Sequence, residues 1–95
     1  MYESKMRSAE TDALYDAILS LKDREACYRF FDDLCTYSEI TAMTQRLQVA
    51  RMLSEGKTFS QISAETGVSS ATITRVNKCL SYGPGGYRSV LQNQK

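Results

Sequence analysis

The chain predicts an all-α fold of about six helices, two of which form a helix-turn-helix. Three observations carry this. Apolar residues recur at spacings of three and four between the turn signals, and no segment alternates as a strand does. The third is residues 59–80, where Ile62, Gly67, Val68, Ile73, Val76 and Leu80 stand at helix-turn-helix spacing.

In chain order, residues 1–7 read as a flexible tail ahead of a single helical domain over 8–95. Ser8 can cap a first helix, with Glu10 and Asp12 favoured by the dipole in its first turn and Leu14, Ile18 and Leu21 as its apolar stripe. After Lys22 and Asp23, a second helix runs through REACYRFFDDLC, with Ala26, Cys27, Phe30, Phe31 and Leu34 apolar. Phe30 and Phe31 leave an α-helix about 100° apart, so one partner surface covers both only with difficulty. Such a helix packs between two neighbours, and in so short a chain a second subunit is a candidate for one of them.

Thr36 and Glu39 read as a capping box, with Ser38 as the other candidate cap, opening a third helix. Ile40, Met43, Leu47, Ala50 and Leu53 mark its expected buried face, and Gly56 stops it. The polar link 56–58 leads to the helix-turn-helix. Ile62 faces inward on the first of its helices, Gly67 supplies the turn, Val68 plugs the corner and Ser69 caps the second helix. There Ile73, Val76 and Leu80 form one buried stripe. The opposite face carries Ser70, Ala71, Thr72, Thr74, Arg75, Asn77 and Lys78, short polar groups leading and cations behind, as approach to a DNA groove requires. The run from Tyr82 to Gly86 breaks the helix, and Pro84 is placed to start a last one through Tyr87, Val90 and Leu91. These glycines lack the phosphate-loop spacing and follow no strand, so they read as a turn.

Ninety-five residues make one domain of ordinary size. A chain this small buries roughly 62–65% of its unfolded surface, which leaves a lone monomer a thin core. No apolar run approaches a membrane span and the N-terminus lacks a signal-peptide core, so the expected location is cytoplasmic, without membrane contact. Cys27, Cys35 and Cys79 form no C-x-x-C pair, and reduced, mostly buried thiols are expected. With no histidine, Cys/His zinc sites and His-dependent nucleophilic catalysis are excluded. Glu25, Asp32 and Asp33 form no metal or catalytic constellation, so neither metal nor enzyme is expected.

The net charge of +1 conceals an asymmetry. Residues 1–44 hold five basic and nine acidic side chains, whereas 45–95 hold seven basic and two acidic. The helix-turn-helix lies in the positive half, as a DNA-facing end demands.

At this point the chain resembles the Trp repressor superfamily. The resemblance rests on the ATITR segment (Ala71–Arg75), the preceding helix TQRLQVARML (Thr44–Leu53) and Pro84 before a final helix, and it covers roughly residues 10–92. FFDDLCTYSEITAM and the GPGGY turn are most similar to the YerC/YecD-type branch. The resemblance implies an intertwined all-α homodimer whose first three helices interlock with their counterparts, flanked by two helix-turn-helix heads reading successive major grooves. Trp repressor is a standing example of the helix-turn-helix, with water-mediated base contacts. It also implies an effector pocket. Arg75 matches an arginine that helps hold the tryptophan carboxylate in the repressor. The other anchoring arginine falls at Gln45, with Arg46 about 100° away round the helix. Val76 stands where the repressor has glycine, and Cys79 where it has a hydroxyl. A buried carboxylate without its bidentate partner loses on the order of 2–3 kcal/mol. Tryptophan is therefore not the expected ligand, and Gln45, Arg75 and Cys79 mark a pocket for an unidentified effector, if for any.

The leading expectation is a sequence-specific DNA-binding regulator, a repressor acting by occlusion. Ser70, Ala71, Thr72 and Thr74 would face base edges, Arg75, Lys78 and Lys57 would meet phosphates, and Ser60 and Ser69 would add hydroxyls near the helix starts. The alternative is a helix-turn-helix kept as a protein-interaction module without specific DNA binding.

Overall fold

The computed structural model describes residues 2–93, which contain six helices and no strand. They are α1 (Ala9–Leu19), α2 (Arg24–Leu34), α3 (Tyr37–Ser54), α4 (Phe59–Thr66), α5 (Ser70–Tyr82) and α6 (Gly86–Asn93). The chain divides into two compact units, Met1–Tyr37 and Ser38–Lys95.

The first unit holds α1 and α2. Ser8 caps α1 as expected, its hydroxyl oxygen accepting from the Thr11 N–H at 3.0 Å. Asp23 caps α2 in the same way, accepting from the Ala26 N–H at 2.8 Å. Neither helix contains a fully buried residue. Leu19 is 80% exposed and Tyr28 66%, so the apolar faces of these helices are largely uncovered within the chain. Phe30 and Phe31 depart from the expected divergence. Although the backbone sends them to different sides, their rings meet edge to face, with centroids 5.6 Å apart and an interplanar angle of 82°. Offset edge-on contact is the favourable geometry for two ring quadrupoles, and here it draws neighbouring residues into one half-buried cluster.

The second unit carries the core. Among the described residues it is built from Val49, Ala50 and Met52 of α3, Ile62 of α4, Val68 of the turn, and Ile73 and Val76 of α5, with Leu53, Leu80, Tyr87 and Leu91 packed against it. The buried face of α3 therefore differs from the one expected. Ala50 and Leu53 belong to it, but Ile40 and Leu47 are only half-buried and Met43 is exposed. The segment LQVARML has apolar residues on more than one side, and its Val49 and Met52 side supplies the core instead. α3 starts at Tyr37, so Thr36 stands directly before it and Ser38 lies inside the helix.

The helix ends explain why the head folds as it does. The Lys57 N–H reaches back to the Met52 carbonyl and the Gly56 N–H to that of Leu53, both at 3.0 Å, with Gly56 at φ 85°. This is a Schellman stop, which satisfies the last carbonyls of α3. One residue later Thr58 and Gln61 form a reciprocal capping box at the start of α4. Gly67 ends α4 at φ 72°, the left-handed region that favours glycine. α6 begins later than Pro84 suggests: the Ser89 N–H bonds to the Gly85 carbonyl, making Gly85 the residue before the helix and leaving Pro84 in the preceding turn. The thiols also depart from expectation. All three are free, but Cys27 and Cys79 are exposed and Cys35 is half-buried.

Candidate nucleic-acid interface and adjoining cavity

α5 presents two chemically distinct faces. Ile73 and Val76 are completely or almost completely buried, at 0% and 1% exposure, which fixes the rotation of the helix against the core. That rotation turns Ser70, Ala71, Thr74, Arg75 and Lys78 outward, all of them exposed. Thr72 is half-buried. Its N–H donates to the Ser69 oxygen at 3.2 Å, and the two hydroxyls lie 3.1 Å apart. Ser69 thus caps α5 as the sequence predicts, and Val68, 6% exposed, closes the corner.

Ser60 and Ser70 come together on a groove between α4 and α5, shared with Phe59, Ser63, Ala64 and Ile73. Lys57 is exposed where the chain leaves α3 and enters the Thr58 cap. Among the described residues no helix is long and apolar enough to cross a membrane, and no group of three His, Cys, Asp or Glu side chains is arranged to hold a metal ion.

Beside the interface lies a cavity of about 430 Å³ between α3 and the start of α5, lined by Ala42, Gln45 and Arg46 on one side and Gly67, Val68, Ser69, Thr72 and Arg75 on the other. Of the three residues expected to mark an effector pocket, Gln45 and Arg75 meet there and Cys79 does not. Cys79 follows Arg75 by four residues, a translation of about 6 Å along the helix axis, which carries it past the opening. Val76 is not among the residues that line the cavity; its side chain belongs to the core. Arg46 reaches the cavity although it leaves α3 about 100° round the helix from Gln45. Ala42, Gln45 and Arg46 stand at i, i+3 and i+4 on α3, one stripe of the helix, so both Gln45 and Arg46 reach the cavity. That spacing was the available signal for Arg46, as T-x-x-Q was for the Thr58 cap.

These observations agree with what the chain is similar to. The family model described as Trp repressor protein matches residues 9–95. The chain belongs to the Trp repressor family. It is 56% identical to the uncharacterized protein YerC of Bacillus subtilis (strain 168), over 100% of this chain and 91% of that protein. Among solved structures it resembles a candidate Trp repressor from Staphylococcus aureus, at 50% identity and TM-score 0.91, covering 95% of this chain and 90% of that one. A TrpR-like protein from Eubacterium eligens ATCC 27750 superposes with the same TM-score at 46% identity, covering 95% and 93% of the two chains. Trp repressor family members are regulators rather than enzymes, and the six-helix architecture is theirs.

Proposed function

We infer that the protein is a sequence-specific DNA-binding transcriptional regulator, a repressor by occlusion, acting as a homodimer through its helix-turn-helix. The observation that carries this reading is the division of α5: Ile73 and Val76 hold it to the core while Ser70, Ala71, Thr74, Arg75 and Lys78 face outward. Small side chains at the leading end let the helix approach base edges, and the exposed methyl groups of Ala71 and Thr74 suit a thymine methyl. Arg75, Lys78 and Lys57 supply phosphate contacts, and Ser60 and Ser70 line the groove beside them.

A homodimer is supported by the first unit. Two helices with no buried residue, bearing Leu14, Tyr15, Leu19, Tyr28 and Leu34 exposed, have apolar area to cover. The single domain over 8–95 is then completed by the partner, with residues 1–7 as its tail. The acidic balance of 1–44 keeps that region away from phosphate while the basic head approaches it. A protein of this kind acts in the cytoplasm.

Selection of bound sequences from a randomised duplex pool tests the reading. An enriched pseudo-palindromic site, bound more tightly than random duplex with affinity that falls steeply with salt, is the expected result. A pool that never enriches, with no salt-dependent duplex binding, assigns the head to protein interaction instead.

A further inference from the structure

We propose that the recess formed by the ends of α3 and α5 and by α6 binds a small carboxylic acid with an apolar body, its carboxylate held by Arg88. This goes beyond the DNA-binding reading and does not depend on it. The recess has a volume of about 230 Å³ and is lined by Ser54 of α3, Leu80 of α5, and Arg88, Leu91 and Gln92 of α6. It shares no described residue with the cavity beside the interface. Arg88, Leu91 and Gln92 stand at i, i+3 and i+4, so a single stripe of α6 makes one wall. Among the described residues Arg88 alone of that lining is charged, and it has no ion pair.

The guanidinium is held in place before any ligand arrives. One of its N–H groups donates to the Ser81 carbonyl at 3.2 Å, across the turn that joins α5 to α6. That turn is fixed in its own right. The Gly83 N–H donates to the Cys79 carbonyl at 2.9 Å, and a Cβ on Gly83 would collide with the same carbonyl. The rest of the guanidinium fork stays open, and its planar donors match the two oxygens of a carboxylate. The Gln92 amide adds a donor one turn further along α6. The Ser54 hydroxyl does not, because its proton goes to the Arg51 carbonyl at 2.7 Å. Leu80 and Leu91, half-buried against the core, leave apolar surface beside the charge. A wall with one cation and no anion balances a single negative charge, which favours a monocarboxylate over a zwitterion. The volume falls below the roughly 300–1,000 Å³ of sites for drug-sized ligands, so the body is one ring or a short branched chain.

The test uses the full isotope-labelled chain at fixed ionic strength, with benzoate as the probe and benzamide as its neutral counterpart. Amide shifts followed by NMR should saturate at millimolar benzoate and centre on α6 and the ends of α3 and α5. Benzamide should bind more weakly, by on the order of tenfold. Arg88→Gln should weaken benzoate to a similar extent. Gln92→Glu places a carboxylate four residues from Arg88, where the two side chains pair, and should weaken benzoate likewise. That variant keeps Arg88 and its bond to Ser81, so it decides the matter if Arg88→Gln loosens α6. Arg46→Gln, in the cavity beside the interface, should leave benzoate binding unchanged. Shifts that never saturate overturn the proposal. So do shifts that centre on Gln45 and Arg75, equal binding of benzamide, or benzoate binding untouched in a folded Gln92→Glu chain.

Discussion

Ser69 and Thr72 are joined twice: the Ser69 oxygen accepts the Thr72 N–H at 3.2 Å, and the two hydroxyls meet at 3.1 Å. One residue pair therefore ends the turn, starts α5 and forms part of the cavity wall. Ser69→Ala should lower stability by about 0.5–2 kcal/mol through loss of the cap. Ser69→Asp should keep the cap and the stability while placing a carboxylate beside the α5 interface, so DNA affinity falls. Urea unfolding beside duplex titration separates the two effects.

Gly67 holds the turn at φ 72°, with open space where a Cβ would lie. Gly67→Ala should therefore cost only the backbone term, about 1–2 kcal/mol. Thermal unfolding followed by circular dichroism measures it. A neutral or stabilising result would show that the turn relaxes to another conformation.

The edge-to-face pair of Phe30 and Phe31 sits in a unit whose described residues include no fully buried one. Sedimentation at micromolar concentration should give about twice the 10.7 kDa chain mass. Phe30→Ala and Leu47→Ala should each destabilise by roughly 2–5 kcal/mol and weaken association together. A clean, folded monomer at that concentration would refute the dimer.

Thr74 and Lys78 are both exposed on α5 but should contribute differently. Thr74→Ala is expected to reduce discrimination between the selected site and random duplex by about 1–3 kcal/mol. Lys78→Ala should weaken both complexes alike and lower the salt slope by about 0.9. If neither variant alters binding while the fold holds, the recognition-helix assignment is wrong.

Tryptophan should have little effect. The resemblance sets Gln45 at the position of one anchoring arginine, and the cavity wall has no carboxylate for the amino group. Calorimetry with L-tryptophan, together with duplex titration at millimolar ligand, should show no saturable coupling. A tenfold tightening, about 1.4 kcal/mol, would mean that Arg46 and Arg75 suffice for an amino acid.

The head was the most legible part of the chain. Gly67, Val68, Ser69, Ile73 and Val76 each have a residue type suited to one local task, and the structure places all five in those tasks. The capping role of Gln61 is carried by the T-x-x-Q spacing alone, in a link so short that the stop of α3 at Gly56 and the cap of α4 at Thr58 nearly coincide. The face of α3 was harder to read, since an apolar run with residues on several sides has no single stripe and packing chooses among them. The cavity was half legible. Angular position alone admits Cys79 and rejects Arg46, but translation along α5 removes the first and the shared stripe with Ala42 and Gln45 admits the second.

All seven buried apolar residues among those described lie between Val49 and Val76. Contacts so close in sequence close short loops, whose entropic cost rises only slowly with length. Topologies rich in such contacts fold in microseconds to milliseconds, whereas subunit assembly is slower and depends on concentration. The order of events follows from where the core lies. The head has a core of its own within one chain, so in the proposed homodimer it acquires its shape first, and α1 and α2 meet their partner with the head already formed.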